Sequence, residues 1–330
     1  MNRDPRRDPA PVAEAIRNAK TVAICCHVNP DGDTIGSGLA TRLGLEKLGI
    51  RADVYCQDKV PDNLMFLPGA KEVLNADAIG EKRYDLLLCV DISDAARMGK
   101  CALLRDRCAA WAQVDHHGTN PAYATCNDID GNASANCLLI YELLNRLNVA
   151  VDGEIAKCLY AGISTDTGNF AFSNTGSEAF KVMSELMEHG LPLQDMNRIL
   201  FRERAKEQVL LMGRMLSRIQ YRHQGQMAVM TLTAKDFEEC GALPEHADTL
   251  VNVGLDTVGV KTALLAREHT DGTIKFSLRA VAPWRVDQVA SAFGGGGHSQ
   301  ASGISMKGEL SEVTEKVAQA LEKAMDGKEL

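Results

Sequence analysis

The stretch Trp111–Gly118, WAQVDHHG, does most to restrict what this chain can become: an apolar run stops abruptly in a carboxylate and two imidazoles, Asp115, His116 and His117. Such a run predicts a buried strand that delivers polar chemistry at its carboxyl end, where open α/β sheets place their ligands. Taken alone, the triplet equally describes a capping Asp followed by two surface imidazoles. Its company elsewhere in the chain decides between the two.

Two other apolar runs end in the same way. Thr21–Cys26 leads into His27, Pro30, Asp31, Gly32 and Asp33, after which Leu39, Leu43 and Leu48 recur at helical spacing up to Gly49. This predicts strand, loop, helix. Pro30 and Gly32 force a turn; Asp31 and Asp33 either converge with His27 on one point or serve as turn former and helix N-cap. Asp85–Val90 runs straight into Asp91, with Asp94 and Arg97 close behind, and the Asp115 strand follows one crossover later. That spacing predicts βαβ units and an N-terminal doubly wound, mostly parallel sheet with its polar strand ends side by side. Further on, helical periodicity over 134–147, 153–163 and 175–190 brackets the segment GISTDTG, where Asp166 reads by itself as a turn residue.

At 330 residues the chain exceeds what one core usually organises, so two domains are expected. The expected boundaries are 1–190 for the sheet domain, 191–222 for a charged helical linker and 223–330 for a smaller α/β domain. In that last part, Met227–Leu232 predicts a strand, Thr233 a helix cap and 245–253 a helix. Asp271–Gly272 between two strand-like runs is a hairpin signal, and 310–325 predicts a helix. Gly294–Gly297 followed by His298 predicts a loop whose free amides form an anion-binding nest rather than a flexible linker. Met1–Pro11, without periodicity, is expected to be a frayed lead-in.

The formal net charge of -8 excludes a long polyanion as partner, because neutralising many phosphates needs clustered Lys and Arg. Ten cysteines, several inside apolar runs and none in a C-x-x-C pair, suit reduced core thiols rather than a disulfide frame or zinc knuckle. With neither a signal peptide's apolar segment nor a stretch near the roughly 20 residues that span a bilayer, the expected location is cytoplasmic, away from membranes.

Taken together, these parts resemble the DHH phosphoesterase superfamily with its DHHA1 domain, from about Ala13 to the C-terminus. Within it, the resemblance is to the nanoRNase-type branch of oligoribonucleases that also act as phosphoadenosine-phosphate phosphatases. It rests on His27, Asp31 and Asp33 with Gly36 and Ser37; on Asp91; on Asp115–His117; on Gly162–Gly168; and on Phe293–His298 with Ala301 and Gly303. The resemblance implies that His27, Asp31 and Asp91 hold one metal and Asp33, Asp91, His116 and Asp166 a second, with Asp91 bridging. A set of carboxylates with two imidazoles suits manganese, with cobalt, iron or zinc as competitors, better than magnesium. His117 is implied as a general acid or phosphoryl hydrogen-bond donor, and Asp115 as the group that orients an imidazole.

In relatives the Gly-rich loop, here Gly295, Gly296, Gly297 and His298, works with a strand arginine, here Arg279, to grip the terminal phosphate of a nucleotide. The active site is then expected in the cleft between the domains. This implies short substrates, di- to tetranucleotides and adenosine 3',5'-bisphosphate, and a homodimer as the common assembly. Many relatives carry a basic residue after the loop histidine, whereas Ser299 and Gln300 stand here. A linear or cyclic dinucleotide phosphodiesterase such as one for c-di-AMP or pApA, a pyrophosphatase or polyphosphatase, and a catalytically dead nucleotide-binding regulator are the alternative readings. The filled ligand positions count against the last.

Overall fold

The strands nearest the DHH triplet are apolar on successive residues rather than on alternate ones, the pattern of a sheet covered on both faces. In the computed structural model, which describes residues 4–327, they form a six-stranded sheet with every neighbouring pair parallel. The strands are β1 (Thr21–Cys25), β2 (Arg51–Cys56), β3 (Leu74–Asn75), β4 (Tyr84–Val90), β5 (Cys108–Asp115) and β6 (Cys126–Ile129). Their spatial order, β3-β2-β1-β4-β5-β6, runs outward from β1, returns to its other side and runs outward again. The reversal between β1 and β4 is a topological switch point, where the carboxyl ends of neighbouring strands splay open a crevice. His27, Asp91 and Asp115–His117 follow or end β1, β4 and β5, so the three polar strand ends do lie side by side.

Helices α1 (Pro9–Arg17), α2 (Gly32–Lys47), α3 (Asn136–Arg146), α4 (Gly153–Asp166), α5 (Ser177–Met187) and α6 (Leu193–Asn197) complete the first unit. Val22 and Ile24 enter the core shared with these helices, while Ala23 and Cys25 face a second core with Met98, Cys101 and Leu104 from the tight turns of 95–107. At Gly36, α2 meets the backbone of α4: a Cβ there would stand 2.4 Å from the Cys158 carbonyl oxygen, and only backbone movement would relieve it. Gly36→Ala is therefore expected to lower stability by about 1–3 kcal/mol, the usual cost of overpacking, measured by urea denaturation. An unchanged midpoint would disprove this account of the helix crossing.

The N-terminal lead-in corrects one expectation. Met1–Arg3 lie outside the described residues, but from Asp4 onward the chain is docked, not frayed. Arg7 is buried and ion-paired with Asp128 and Glu142, Asp4 accepts the Gly131 N–H at 3.0 Å, and α1 begins at Pro9 with Asp8 as its cap. The partners lie more than 120 residues away in sequence for Asp4 and for the Arg7–Asp128 pair, so no local pattern announces them.

The two compact units meet at Glu203 and Arg204, inside the segment expected to link domains. That segment is not one long helix. After α6 a π-helical turn covers Arg198–Arg202, the backbone extends at Glu203 and Ala205, and α7 (Lys206–Leu216) starts afresh. Leu200 is buried in the first core and Leu211 and Met215 in a core of the second unit, so each half is anchored separately.

The second unit has a mixed sheet of β7 (Gln220–Arg222), β8 (Met227–Leu232), β9 (Thr262–Glu268), β10 (Thr273–Ala280), β11 (Gly296–His298) and β12 (Ala301–Lys307), ordered β11-β12-β10-β9-β8-β7. Only β8 and β9 run parallel. Its helices are α7, α8 (Ala234–Cys240), α9 (Asn252–Leu255), α10 (Asp287–Ala292) and α11 (Leu310–Met325). Thr233 caps α8 as expected, in a reciprocal box with Asp236, and Asp236 also takes two 2.7 Å hydrogen bonds from Arg218. The expected helix over 245–253 is instead a tight turn, Pro244–Ala247, and a separate short α9, with Ala247 and the intervening Leu250 and Val251 buried.

Candidate active site

The loop after β1 turns into α2 through Asp31, which is the N-cap. Its Oδ1 accepts the N–H groups of Asp33 at 3.0 Å and Thr34 at 3.1 Å, leaving Oδ2 3.6 Å from His27 Nε2. Capping and facing His27 are thus compatible duties of one carboxylate. Asp33, in the first turn of α2, is fully buried and caps a different helix: its oxygens accept the Asn136 N–H at 2.5 Å and the Cys137 N–H at 2.9 Å, at the start of α3. A Cβ at Gly162 would stand 2.6 Å from Asp33 Oδ1, so the glycine on α4 keeps that carboxylate in place.

Asp91 leaves β4 with φ +59°, a left-handed conformation that a non-glycine residue adopts only when its surroundings enforce it. Its N–H donates to the Val114 carbonyl at 3.0 Å, and its side chain points into the crevice. There Oδ2 is 3.5 Å from His27 Nε2 and Oδ1 3.3 Å from His116 Nε2. His116 Nε2 also lies 3.3 Å from Asp166 Oδ2 and 3.8 Å from Asp33 Oδ2. The residues form two trios, His27–Asp31–Asp91 and Asp33–His116–Asp166, and Asp91 lies against both. All six residues expected to bind metal come together within the first unit.

The electrostatics describe a crowded cluster of carboxylates and imidazoles that perturb one another. Burial and the neighbouring Asp91 and Asp166 push Asp33 far above the usual carboxylate range. Burial, moderated by His116 and reinforced by Asp91, raises Asp166 to about 6. Burial opposes charging of His27, yet the nearby carboxylates of Asp31 and Asp91 outweigh it and raise its pKa to about 10; His116 reaches about 10 through the same balance with Asp91, Asp33 and Asp166. Burial resists ionisation of Asp91 too, but His116 and His27 hold it well below its ordinary value.

These side chains suit divalent cations. Asp91 Oδ1 is buried without a hydrogen-bond partner, an orphan that a cation would satisfy. His27 Nδ1 lies 2.8 Å from the Val28 carbonyl and His116 Nδ1 3.2 Å from the Ala133 carbonyl. Where Nδ1–H donates to those carbonyls, Nε2, which faces the carboxylates, is the nitrogen that would meet a cation; Arg97 Nη2 also lies 3.1 Å from His27 Nδ1.

His117 differs from its neighbour. Its Nδ1 donates to Asp115 Oδ1 at 2.8 Å, so that nitrogen is committed, and the ring is about one-third exposed. Asp115 is wholly buried, and its Oδ2 accepts from Asn120 Nδ2 at 2.6 Å. Asn120 was not singled out in the sequence; a turn asparagine five residues beyond Asp115 carries no local mark of that duty.

In the second unit, Arg279 pairs across the sheet with Ala301, and His298 pairs with the same Ala301 from the other side. Residues directly opposite in antiparallel strands share a face, so Arg279 and His298 flank a small residue on one surface. Among the described residues Arg279 pairs with no carboxylate; its Nη1 donates to the Leu278 carbonyl, and burial and Arg267 lower its pKa. Two amides of the glycine run are not free for the expected nest. Gly294 and Gly295 donate to Ser291 and Ala290 at the end of α10, and Gly296 and Gly297 belong to β11. Close approach explains the glycines: a Cβ at Gly295 would lie 2.1 Å from the Gly303 carbonyl and one at Gly297 2.5 Å from that of Ala301.

Carboxylates and imidazoles gathered at the switch point of a parallel sheet, with a separate mixed-sheet unit following, define a class of metal-dependent phosphoester hydrolase, and comparison with known proteins agrees. Residues 21–163 match the DHH family, N-terminal domain, and residues 224–326 match the DHHA1 domain. The chain belongs to the DHH family. It is 32% identical over 314 residues to the bifunctional oligoribonuclease and PAP phosphatase NrnA of Thermus thermophilus, covering 94% of this chain and 92% of that protein. To the protein of the same name from Bacillus subtilis it is 25% identical over 295 residues, covering 87% and 89%. The crystal structure of an exopolyphosphatase-related protein from Bacteroides fragilis matches with a TM-score of 0.86 and 27% identity over 96% of each chain. No helix among the described residues is long and apolar enough to cross a membrane.

Proposed function

We propose that this chain hydrolyses di- to tetraribonucleotides to mononucleotides and adenosine 3',5'-bisphosphate to AMP, with two divalent cations, manganese foremost. The observation that carries this reading is the orphaned Asp91 Oδ1 between two carboxylate–imidazole trios. The relatives named as oligoribonuclease and PAP phosphatase support the substrate class. His27, Asp31 and Asp91 would hold one cation and Asp33, Asp91, His116 and Asp166 the other. When bound, two such cations supply Lewis acidity to an attacking water and charge balance to the phosphoryl oxygens.

The chain's own groups do the rest. Asp115 and Asn120 hold the His117 ring through Nδ1, so its Nε2 would pass a proton to the departing sugar oxygen. Arg279 and His298 would grip a terminal phosphate and so limit substrate length. The deciding assay is a panel of 5'-labelled dinucleotides, longer oligomers, adenosine bisphosphate and pyrophosphate with added manganese. Turnover of pyrophosphate alone would overturn the reading.

Arg279→Ala tests the grip separately. Losing a charge-assisted phosphate contact is expected to lower kcat/KM on a phosphorylated dinucleotide by about 10- to 150-fold. The loss on bis-p-nitrophenyl phosphate, which has no second phosphate, should be far smaller, so the ratio of the two rates is the readout. Equal losses would mean that Arg279 supports the fold instead.

A further inference from the structure

The segment that follows Asp166 is built more stiffly than a surface loop requires. Gly168, Asn169 and Phe170 adopt φ of +56°, +55° and +65°, three successive left-handed residues of which two are not glycine. Such conformations persist where the surroundings over-determine them, and they cluster at functional sites. The restraints are visible. Phe170 N–H donates to Thr167 Oγ1 at 3.1 Å, Ala171 and Phe172 N–H both donate to the Thr167 carbonyl at 3.0 Å, and Asn174 Nδ2 donates at 3.1 Å to the carbonyls of Asp166 and Ser134. Ser134 is next to Ala133, whose carbonyl meets His116. The segment is therefore fastened to the rim of the carboxylate–imidazole cluster at two points.

Its two aromatic rings behave differently. Phe170 turns inward against Phe180, with ring centroids 5.3 Å apart. Phe172 points outward and is 60% exposed. Three adjacent carbons of the Phe172 ring lie 2.5, 2.5 and 2.6 Å from where a Gly168 Cβ would be. Near-equal distances to three adjacent ring atoms arise only when the approach is over the ring plane; an edge-on approach would favour one atom by almost an ångström. The ring thus lies face-on upon the Gly168 backbone, two residues from Asp166.

We propose that Phe172 is a nucleobase-stacking platform beside the scissile phosphate. This inference rests on the nucleotide reading above and adds the group that would recognise a base. A flat apolar ring, pinned on one side and open on the other, offers what base stacking needs, and stacking tolerates any base because each has a π face. An inorganic pyrophosphate or polyphosphate gains nothing from such a ring. Phe172 accordingly sets a preference for nucleotides that the cation ligands, which meet only a phosphate, have no means to express.

The test measures binding by calorimetry with the full chain carrying His117→Ala to slow turnover and loaded with manganese. The ligands are 5'-phosphorylated diadenosine dinucleotide and its two counterparts lacking one base. Adding Phe172→Ala is expected to weaken the intact dinucleotide by about 5- to 150-fold and to erase most of its advantage over one abasic counterpart. Phe172→Trp should restore that advantage, and melting temperatures, checked alongside, should move little because the ring is largely exposed. Intact and abasic ligands weakened equally, or no weakening, would overturn the proposal. If Phe172-dependent binding of the base persists while the wild-type chain turns over no nucleotide, the platform stands and the proposed function falls. Nucleotide turnover with Phe172-independent binding has the opposite meaning, and loss of both binding and turnover overturns both.

Discussion

Asp91→Ala is expected to reduce phosphoester hydrolysis by about 10³-fold or more while the protein stays folded. Asp91 is the carboxylate lying against both trios, at 3.5 Å from His27 and 3.3 Å from His116, so its removal would strip a shared ligand from both cations at once. Metal catalysis of this kind stabilises transition-state charge by several kcal/mol, and each 1.4 kcal/mol is tenfold in rate. The fold should survive because the side chain contributes nothing to the apolar cores, and its Oδ1 satisfies no protein donor. The backbone is the one risk, since φ of +59° suits alanine poorly; Asp91→Asn keeps the shape and serves as the control. Elemental analysis after manganese loading and desalting decides the matter. A folded variant that retains two metals per chain and near-normal turnover would refute the assignment of the site.

The fold was legible where chemistry interrupted hydrophobicity. β1, β4 and β5 are apolar runs ended by His27, Asp91 and Asp115–His117, and strands buried on both faces leave that mark in any sequence. Asp31 and Asp33 were ambiguous between capping and converging, and the ambiguity was real: Asp31 caps α2, Asp33 caps α3, and both carboxylates still face the imidazoles. What stayed hidden is what depends on partners distant in sequence. Arg7 looks like part of a featureless charged end until Asp128 and Glu142 arrive from the edge strand and α3. The charged helical linker expected over 191–222 is helical in part, but its sequence could not reveal that Leu200 and Leu211 belong to different cores. Four glycines signalled unusual backbone, yet not which kind; the approach of Gly303 and Ala301 turned the run into a helix end and a short strand.

His117→Ala separates two imidazoles that stand side by side, with ring centroids 4.6 Å apart, and that the sequence alone cannot tell apart. A trio with Asp91 and His116 can be drawn through His117 as well, which would make it a third ligand. Its nitrogen nearest Asp91, Nδ1 at 3.6 Å, is however the one that donates to Asp115 at 2.8 Å, and a proton held there blocks ligation. Nε2 would then remain for the substrate. Replacement by alanine is therefore expected to lower kcat by about 10²–10⁴-fold, the usual contribution of a positioned acid, with metal content unchanged. Asp115→Asn should lower kcat by less, because it disturbs the ring's orientation and leaves the imidazole present. The leaving group supplies an independent check: a p-nitrophenyl ester departs without a proton, so His117→Ala should cost it far less than it costs a dinucleotide, whose sugar oxygen needs one. Loss of a metal from the His117→Ala protein would show that the roles of His116 and His117 must be exchanged.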